Sequence, residues 1–464
     1  MKANRSMRTP APRAAVTGVV AALLLAACSS LLDVHDPDVI NPPDVQNADG
    51  AVGAYNGGLG DFAFANDGDN GGTEGQILVS GVMSDEYTDV ETFPTRIEYD
   101  SRAIDERNTT LRDVYFNLHK ARVALEGAVG ALQQYAPTPN SRIGEMLALS
   151  GFTYVYFAEN YCSAVPFSQR LPDGSIQNGT PMSTKAILAR ALSRFDSALV
   201  VTATLSAASD SAARRIVRTL AAVGRGRPLL DSGDFAGAAA AVAAVPTNFV
   251  YTTFHSTATD RQKNGVFVFN NQAPLGTARF SVADVEGTNG LNFRSAADPR
   301  VQDTLAGKGF DNTSPLFVLK KYASQTSPVH VADGVEARLI AAEAQLQADG
   351  PGMVASLNAL RADVNNNGGF TLAALPDPGT RVGREDLLFR ERAFWLFATG
   401  HRLGDLRRLA RPLAQGGYAR ADSTVFPTGT YTHTNTVYGK NTELPVTFDE
   451  RNNPNFTGCD YNTP

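Results

Sequence analysis

What most restricts the fold of this chain is a place in its middle where one helix gives way to another across a very short turn. Ala212–Leu230 keeps apolar residues at helical spacing, Gly233-Asp234-Phe235 interrupts it, and Ala236-Gly237-Ala238 opens an alanine-rich segment. Glycine supplies the turn, and small alanines let the two helices approach closely. Such a hairpin cannot bury its apolar face alone, so it needs similar hairpins stacked on it. The rest of the chain offers them. Leu111–Leu132 puts Val114, Leu118, Ala121, Leu125 and Val129 on one side of a helix. Ile143–Tyr161 is a second helix, aromatic toward its end and stopped by Pro166, and Thr184–Val201 is a third. Val335–Ala348 and Met353–Asn365 form another pair around Gly350-Pro351.

A helix, a Gly-Asp-aromatic turn and an Ala-rich helix make the tetratricopeptide pattern. It is degenerate here, because Pro246 ends its pair early. Three or four irregular pairs are expected. Residues 247–332 and 413–464 carry Thr, Ser, Asn and Gly with scattered aromatics and no helical period, which reads as loops and short strands. Residues 61–78, containing Asp67-Gly68-Asp69-Asn70-Gly71-Gly72, read as a loop, and 48–110 as irregular throughout. The expected fold class is mostly α. Tetratricopeptide-like helix pairs, over about 111–246 and 333–411, form a scaffold, and a loop-rich part with short strands packs on it.

The N-terminus addresses the chain to export. Lys2, Arg5, Arg8 and Arg13 precede an apolar run from Ala14 to Ala27, broken only by Thr17 and Gly18. That is the form of a signal peptide, and the run is too short to span a bilayer comfortably. It ends Leu25-Ala26-Ala27-Cys28, which resembles a bacterial lipobox. Residues 1–27 are therefore expected to be removed and Cys28 to carry lipid, which anchors stably when two or more acyl chains are present. An ordinary signal peptide with a chance cysteine is the alternative. Residues 28–47, rich in Asp, Asn and Pro, read as a tether, and 48–464 as a single domain. The chain carries a formal charge of −6, and losing the four N-terminal cations makes it more acidic. That excludes the basic footprint of a nucleic-acid binder. The two other cysteines, Cys162 and Cys459, are expected to pair in an oxidising compartment.

Motifs for chemistry are missing. There is no phosphate loop, no HExxH, no paired CxxC and no GxSxG, and Gly224-Arg225-Gly226 falls inside a helical pattern. Asp363-Val364-Asn365-Asn366-Asn367-Gly368 begins like a calcium loop, but its twelfth position is Ala374 where a bidentate glutamate is needed. No enzyme activity, cofactor or metal is expected.

The segment Glu391–Arg408 reads Glu-Arg-Ala-Phe-Trp-Leu-Phe-Ala-Thr-Gly-His-Arg-Leu-Gly-Asp-Leu-Arg-Arg. It resembles the late helix of the RagB/SusD family of nutrient-uptake outer-membrane lipoproteins. Glu391, Arg392, Leu396, Gly400, Arg402, Asp405, Leu406, Arg407 and Arg408 match, while Trp395 and Thr399 stand in place of two usual glutamates. Leu31-Leu32-Asp33-Val34, Tyr154 to Pro166, Glu336 to Ala344, Leu444-Pro445-Val446 and Asn453-Pro454-Asn455-Phe456 resemble other family segments in the right order. The resemblance implies a lid over a TonB-dependent outer-membrane barrel. Such a protein captures an oligosaccharide or other nutrient, passes it on, and has four tetratricopeptide-like pairs beneath an irregular ligand-binding part. A repeat-helix scaffold lipoprotein that binds only envelope proteins is the rival reading.

Within that frame the charges of the Glu391–Arg408 block read as structural, with Arg402 and Asp405 as i,i+3 neighbours. Trp395, the only tryptophan, sits in an aromatic run and reads as core. Ligand candidates are aromatics in the loop-rich parts, because sugars stack on exposed rings. Phe62, Phe64, Tyr87, Phe93, Tyr251 and Phe293 qualify by context.

Overall fold

Side-chain caps and apolar spacing place the helices. The computed structural model describes residues 46–171, 175–271, 278–348, 350–366 and 369–461. Its helices are α1 (Ala48–Asp67), α2 (Gln76–Met83), α3 (Pro94–Asp100), α4 (Thr109–Tyr135), α5 (Asn140–Asn160), α6 (Thr184–Val201) and α7 (Ser211–Asp231). They continue as α8 (Phe235–Val242), α9 (Gly265–Asn270), α10 (Gly334–Ala348), α11 (Pro351–Ala362), α12 (Arg381–Trp395), α13 (Arg402–Ala410) and α14 (Asp422–Val425). Asn108, Ser183, Asp234, Asn264 and Thr380 each accept a hydrogen bond from a backbone N–H in the first turn they precede. These bonds satisfy donors that a helix start leaves free.

Helix α1 lies along α4, α5 along α6, α7 along α8 and α10 along α11. The stripe expected on α4 is the one buried: Leu111, Val114, Leu118, Ala121 and Leu125 are in the core. Between α7 and α8, Gly233 has φ of 78°, and a Cβ there would meet the Gly416 Cα at 2.6 Å. Both the turn and the close approach of the 416 loop require glycine. The strands are short. Six two-stranded antiparallel pairs occur among the described residues. They include Val250–Thr253 with Val329–Asp333, Tyr87–Asp89 with Phe280–Val282, and Asp303–Lys308 with Pro315–Leu319. The fold is thus mostly α, with helix pairs beneath a loop-rich part, as expected.

Two local expectations are corrected. Residues 48–67 are a helix, and the loop expected over 61–78 is confined to residues 68–75. Five glycines hid α1, since each costs a helix about 1 kcal/mol relative to alanine. Packing offsets that cost. A Cβ on Gly58 would lie 3.1 Å from the Met146 sulfur and 3.3 Å from Leu125, so its lack of a side chain is what lets α1 settle onto α4 and α5. The second correction concerns Glu391–Arg408, which is two helices. Residues 396–401 break it, with Ala398 at φ 57° and Gly400 at φ 75°.

Buried ion pairs hold the two pieces. Arg392 forks onto Asp405 at 2.8 and 2.9 Å. Arg408 reaches Glu343 at 2.9 and 3.0 Å, Asp231 at 2.9 Å and Asp405 at 2.8 Å. Arg407 donates to the carbonyls of Ala158, Glu159 and Tyr161. Arg402 does not serve Asp405, as its spacing suggested. It forks onto Asp85, in the loop after α2, at 2.6 and 2.9 Å. Arg392 and Arg408 hold the Asp405 carboxyl below the usual carboxylate range, against the upward pull of its burial.

The tail returns to the helices. Cys162 and Cys459 are disulfide-bonded with Cα atoms 5.7 Å apart. Beside them Cys162 N–H donates to Leu444 O at 2.9 Å and Ser163 N–H to Asp460 O at 3.2 Å. No helix among the described residues is long and apolar enough to cross a membrane. Cys28 and the expected signal peptide lie outside the described residues.

Candidate functional site

The six aromatics singled out from the sequence fall into three places. Tyr87 and Phe293 are fully buried and share a partner, Phe397, whose ring centroid lies 5.7 and 4.8 Å away. Rings packed this way fill core and offer no face to a ligand, which corrects the expectation for both. Phe93 caps the start of α3. It is half exposed and stacks on Phe310 at 5.9 Å, flanked by Arg96 and Arg279. Phe62, Phe64 and Tyr251 come together where α1 passes the strand Val250–Thr253. Phe62 is also buried, its ring 6.5 Å from Tyr156, and it forms the floor of that place rather than an accessible face.

A cleft of about 590 Å³ opens there, within the size range of small-ligand sites. Leu59, Phe62 and Leu149 line its floor, Tyr55 and Tyr251 its wall, and Phe254, Arg261 and Gln262 its mouth. The strand explains the arrangement. Side chains alternate along extended chain. Tyr251, Thr253 and His255 turn inward. The Tyr251 hydroxyl donates to Glu145 at 2.7 Å, the Thr253 hydroxyl donates to Asp67 at 2.9 Å, and the His255 Nε2 lies 3.1 Å from Asp67. Phe254, between the last two, must then face outward. It is 86% exposed, more than any other large apolar side chain described.

The inward groups are held tightly. Glu145 also accepts from the Tyr55 hydroxyl at 2.5 Å. Burial and then the Glu145 charge push both tyrosine pKa values up, so both hydroxyls stay protonated donors. Burial also raises Asp67, and His255 only partly offsets it. Burial would lower His255, but its bond to Asp67 reverses the sign and raises it. At the mouth Arg261 pairs with Asp61 and lies 4.4 Å from the centroid of the Phe64 ring. The cleft therefore has a fixed polar wall, an apolar floor and one uncovered phenyl ring. It can bind a ring with an apolar face and a polar edge. Among the described residues no group of three or more His, Cys, Asp or Glu is placed to hold a metal ion.

Phe254 was missed by sequence reasoning, although Tyr251 three residues earlier was chosen. The available signal was the alternation Tyr251, Thr253, His255 around it. Without the distant carboxylates, nothing in the sequence says which side of that alternation faces water.

No protein-family model matches the sequence, and no curated protein matches it. Solved structures do match. A SusD-like carbohydrate binding protein from Bacteroides fragilis superposes with a TM-score of 0.64 at 16% identity, covering 89% of this chain and 99% of that one. The chain has the SusD-like fold. A laminarin binding SusD-like protein gives a TM-score of 0.63 at 15% identity, with coverage of 89% and 99%. Surface glycan-binding protein A from Bacteroides uniformis gives 0.60 at 12% identity, with coverage of 89% and 99%. In the SusD-like fold of this chain, the Glu391–Arg408 block is the buried seam of the scaffold, and the cleft lies where α1 meets the loop-rich part.

Proposed function

We propose that this chain is a RagB/SusD-type lipoprotein that binds oligosaccharide at the outer-membrane surface and passes it to a TonB-dependent barrel. The observation that carries the reading is the uncovered Phe254 ring at the mouth of an amphipathic cleft. Sugar rings stack an apolar face on such a ring and use their hydroxyl edge on polar neighbours. The fold supports the same reading, since proteins that share it are named for carbohydrate, laminarin and glycan binding. In this reading Cys28 carries the lipid, residues 28–47 tether the domain, and the chain does binding rather than catalysis. Movement of solute across the membrane falls to the barrel.

A glycan array with the purified protein tests the binding claim. Hits are expected from neutral glucans or related oligosaccharides, and Phe254→Ala should weaken them. An array without hits, together with pull-downs that recover only envelope assembly proteins, would put the scaffold reading in its place. For the anchor, Cys28→Ala should block lipidation and processing. A mutant of mature size still held in the membrane would overturn it.

A further inference from the structure

A second cavity, of about 860 Å³, lies away from Phe254, between the strand ends of the loop-rich part and the end of α12. Its lining includes the chain's only tryptophan, Trp395, together with Phe249, Lys320, Lys321 and His330. The tryptophan is held by a neighbour that also lines the cavity. The Arg300 guanidinium lies 4.9 Å from its ring centroid. Arg300 in turn is forked by Asp298, at 2.8 and 2.7 Å, and bonded to Glu391 at 2.7 and 3.1 Å. The indole is thus a rigid plate, and its Nε1–H has no acceptor among the described residues.

The charges around this plate differ from those of the seam. The arginines of the seam are matched to carboxylates or carbonyls. Lys320 and Lys321 are in no salt bridge among the described residues, and Lys320 is exposed. The Lys321 Nζ donates to the Phe397 carbonyl at 2.8 Å, which leaves further N–H groups on the ammonium. Asp333 and Asp363 also line the cavity, and among the described residues neither is in a salt bridge with either lysine, although the Asp333 charge is felt at Lys321. Asp333 is occupied by His330 at 3.2 Å and by the Glu336 N–H at 2.7 Å. Two cations in no salt bridge among the described residues, beside an aromatic plate in an acidic chain, form a site for a ring that carries its own negative charge.

We propose that the Trp395 cavity is a second saccharide site, selective for uronic acid residues, with Trp395 stacking the sugar ring and Lys320 and Lys321 receiving its carboxylate. It rests on the reading of the chain as a glycan binder but not on the Phe254 cleft. An acidic oligosaccharide would then be held at two places, a neutral one mainly at the cleft.

The single tryptophan makes the test selective, because fluorescence excited at the red edge, where tyrosine does not absorb, reports on Trp395 alone. The full protein is titrated with trigalacturonate and, separately, with neutral maltotriose. A saturable fluorescence change with the uronate trimer is expected, and binding of the neutral trimer at this site should be weaker by about tenfold or more, the scale of a charge-assisted hydrogen bond. Lys321→Gln keeps a donor toward Phe397 and removes the charge. It and the exposed Lys320→Gln should each weaken the uronate by about tenfold while leaving the neutral titration unchanged. Phe254→Ala should leave the fluorescence titration as it was. Calorimetry on Phe254→Ala protein repeats the measurement without relying on the fluorophore. No heat and no fluorescence change with trigalacturonate, or equal response to both trimers, overturns the second site. Loss of array binding in Phe254→Ala is a separate outcome that speaks only to the cleft.

Discussion

The seam between α12 and α13 and the mouth of the Phe254 cleft both gather charged and aromatic side chains. In the seam, Arg392, Arg402, Asp405 and Arg408 are at most 5% exposed and each has a partner of opposite charge. At the cleft, Arg261 pairs with Asp61, His255 with Asp67 and Glu145 with two tyrosine hydroxyls, but an aromatic ring stands uncovered beside them. Charge density is therefore a poor guide to a binding site in this molecule. A buried charge must find a partner wherever it lies. An exposed apolar ring has no such requirement, so its exposure is the more informative observation.

The contrast breaks most visibly under truncation. Arg408→Ala strips one partner each from Glu343, Asp405 and Asp231, and breaking a buried network of this kind costs about 3–5 kcal/mol. Denaturant unfolding measures it. A loss below about 1 kcal/mol would show that the seam relaxes and that its pairs are not structural. Phe293→Ala should cost a comparable ~3–5 kcal/mol as a core cavity, without changing glycan affinity in the folded fraction.

A smaller effect is expected at the tail. Replacing Cys162 and Cys459 by serine should cost about 2–5 kcal/mol, because the unfolded chain regains the freedom of a very long loop. Affinity at the cleft should be unaffected. A change in affinity would mean that the tail reaches the ligand.

Phe254→Ala should leave the melting temperature unchanged and weaken glycan binding by up to about tenfold, corresponding to ~0.5–1.5 kcal/mol for a lost ring contact. If stability falls instead, Phe254 belongs with the seam and the contrast fails.

The smallest effect sharpens the comparison by pH. Glu86 is buried beside Asp85, accepts the Ala398 N–H at 3.1 Å, and is pushed up to about 8, first by burial and further by the Asp85 charge. A carboxyl raised above its unfolded value of 4.5 supports the fold fully below that value. Its contribution is lost as pH rises through about 8, because only the unfolded chain ionises it freely in between. Asp405 has the opposite sign, contributing above its unfolded value and losing that contribution in acid. Glu86→Gln should flatten the decline of stability between about pH 5 and 8, as followed by thermal melts. An unchanged slope in the variant would assign the decline to other groups.

Sequence legibility followed locality. The stripe Val114, Leu118, Ala121 and Leu125 is set by spacing within one helix, and the helix was found. Gly58 misled, because its use depends on Met146 and Leu125 in two other helices. The Glu391–Arg408 block showed its importance but not its break, since Ala398 and Gly400 take left-handed backbone only when the two halves dock separately. Tyr87 and Phe293 stood among loop residues, yet Phe397 reaches them from the end of the α12 segment. The cleft was half legible. Tyr251 was visible as an aromatic in a polar run, whereas the orientation of Phe254 is decided by a hydroxyl bond to Asp67, 186 residues away from Thr253.

The link between Cys162 and Cys459 also governs how the molecule carries load. It closes a ring between cysteines 297 positions apart, from α6 through the strand that bears Phe254 to the tail. Tension between the two chain ends bypasses that ring and falls on what precedes it, α1 to α5. Among the described residues ahead of the link, the roughly 110 from Ala48 to Tyr161 can be drawn out, to a contour length of about 400 Å at full extension. The first helix to peel is α1, which supplies Asp61, Phe62 and Asp67 to the cleft. A pull on the leading end thus dismantles one wall of the cleft while the Phe254 strand stays inside a covalent hoop, and when the pull stops the wall has an intact template to return to.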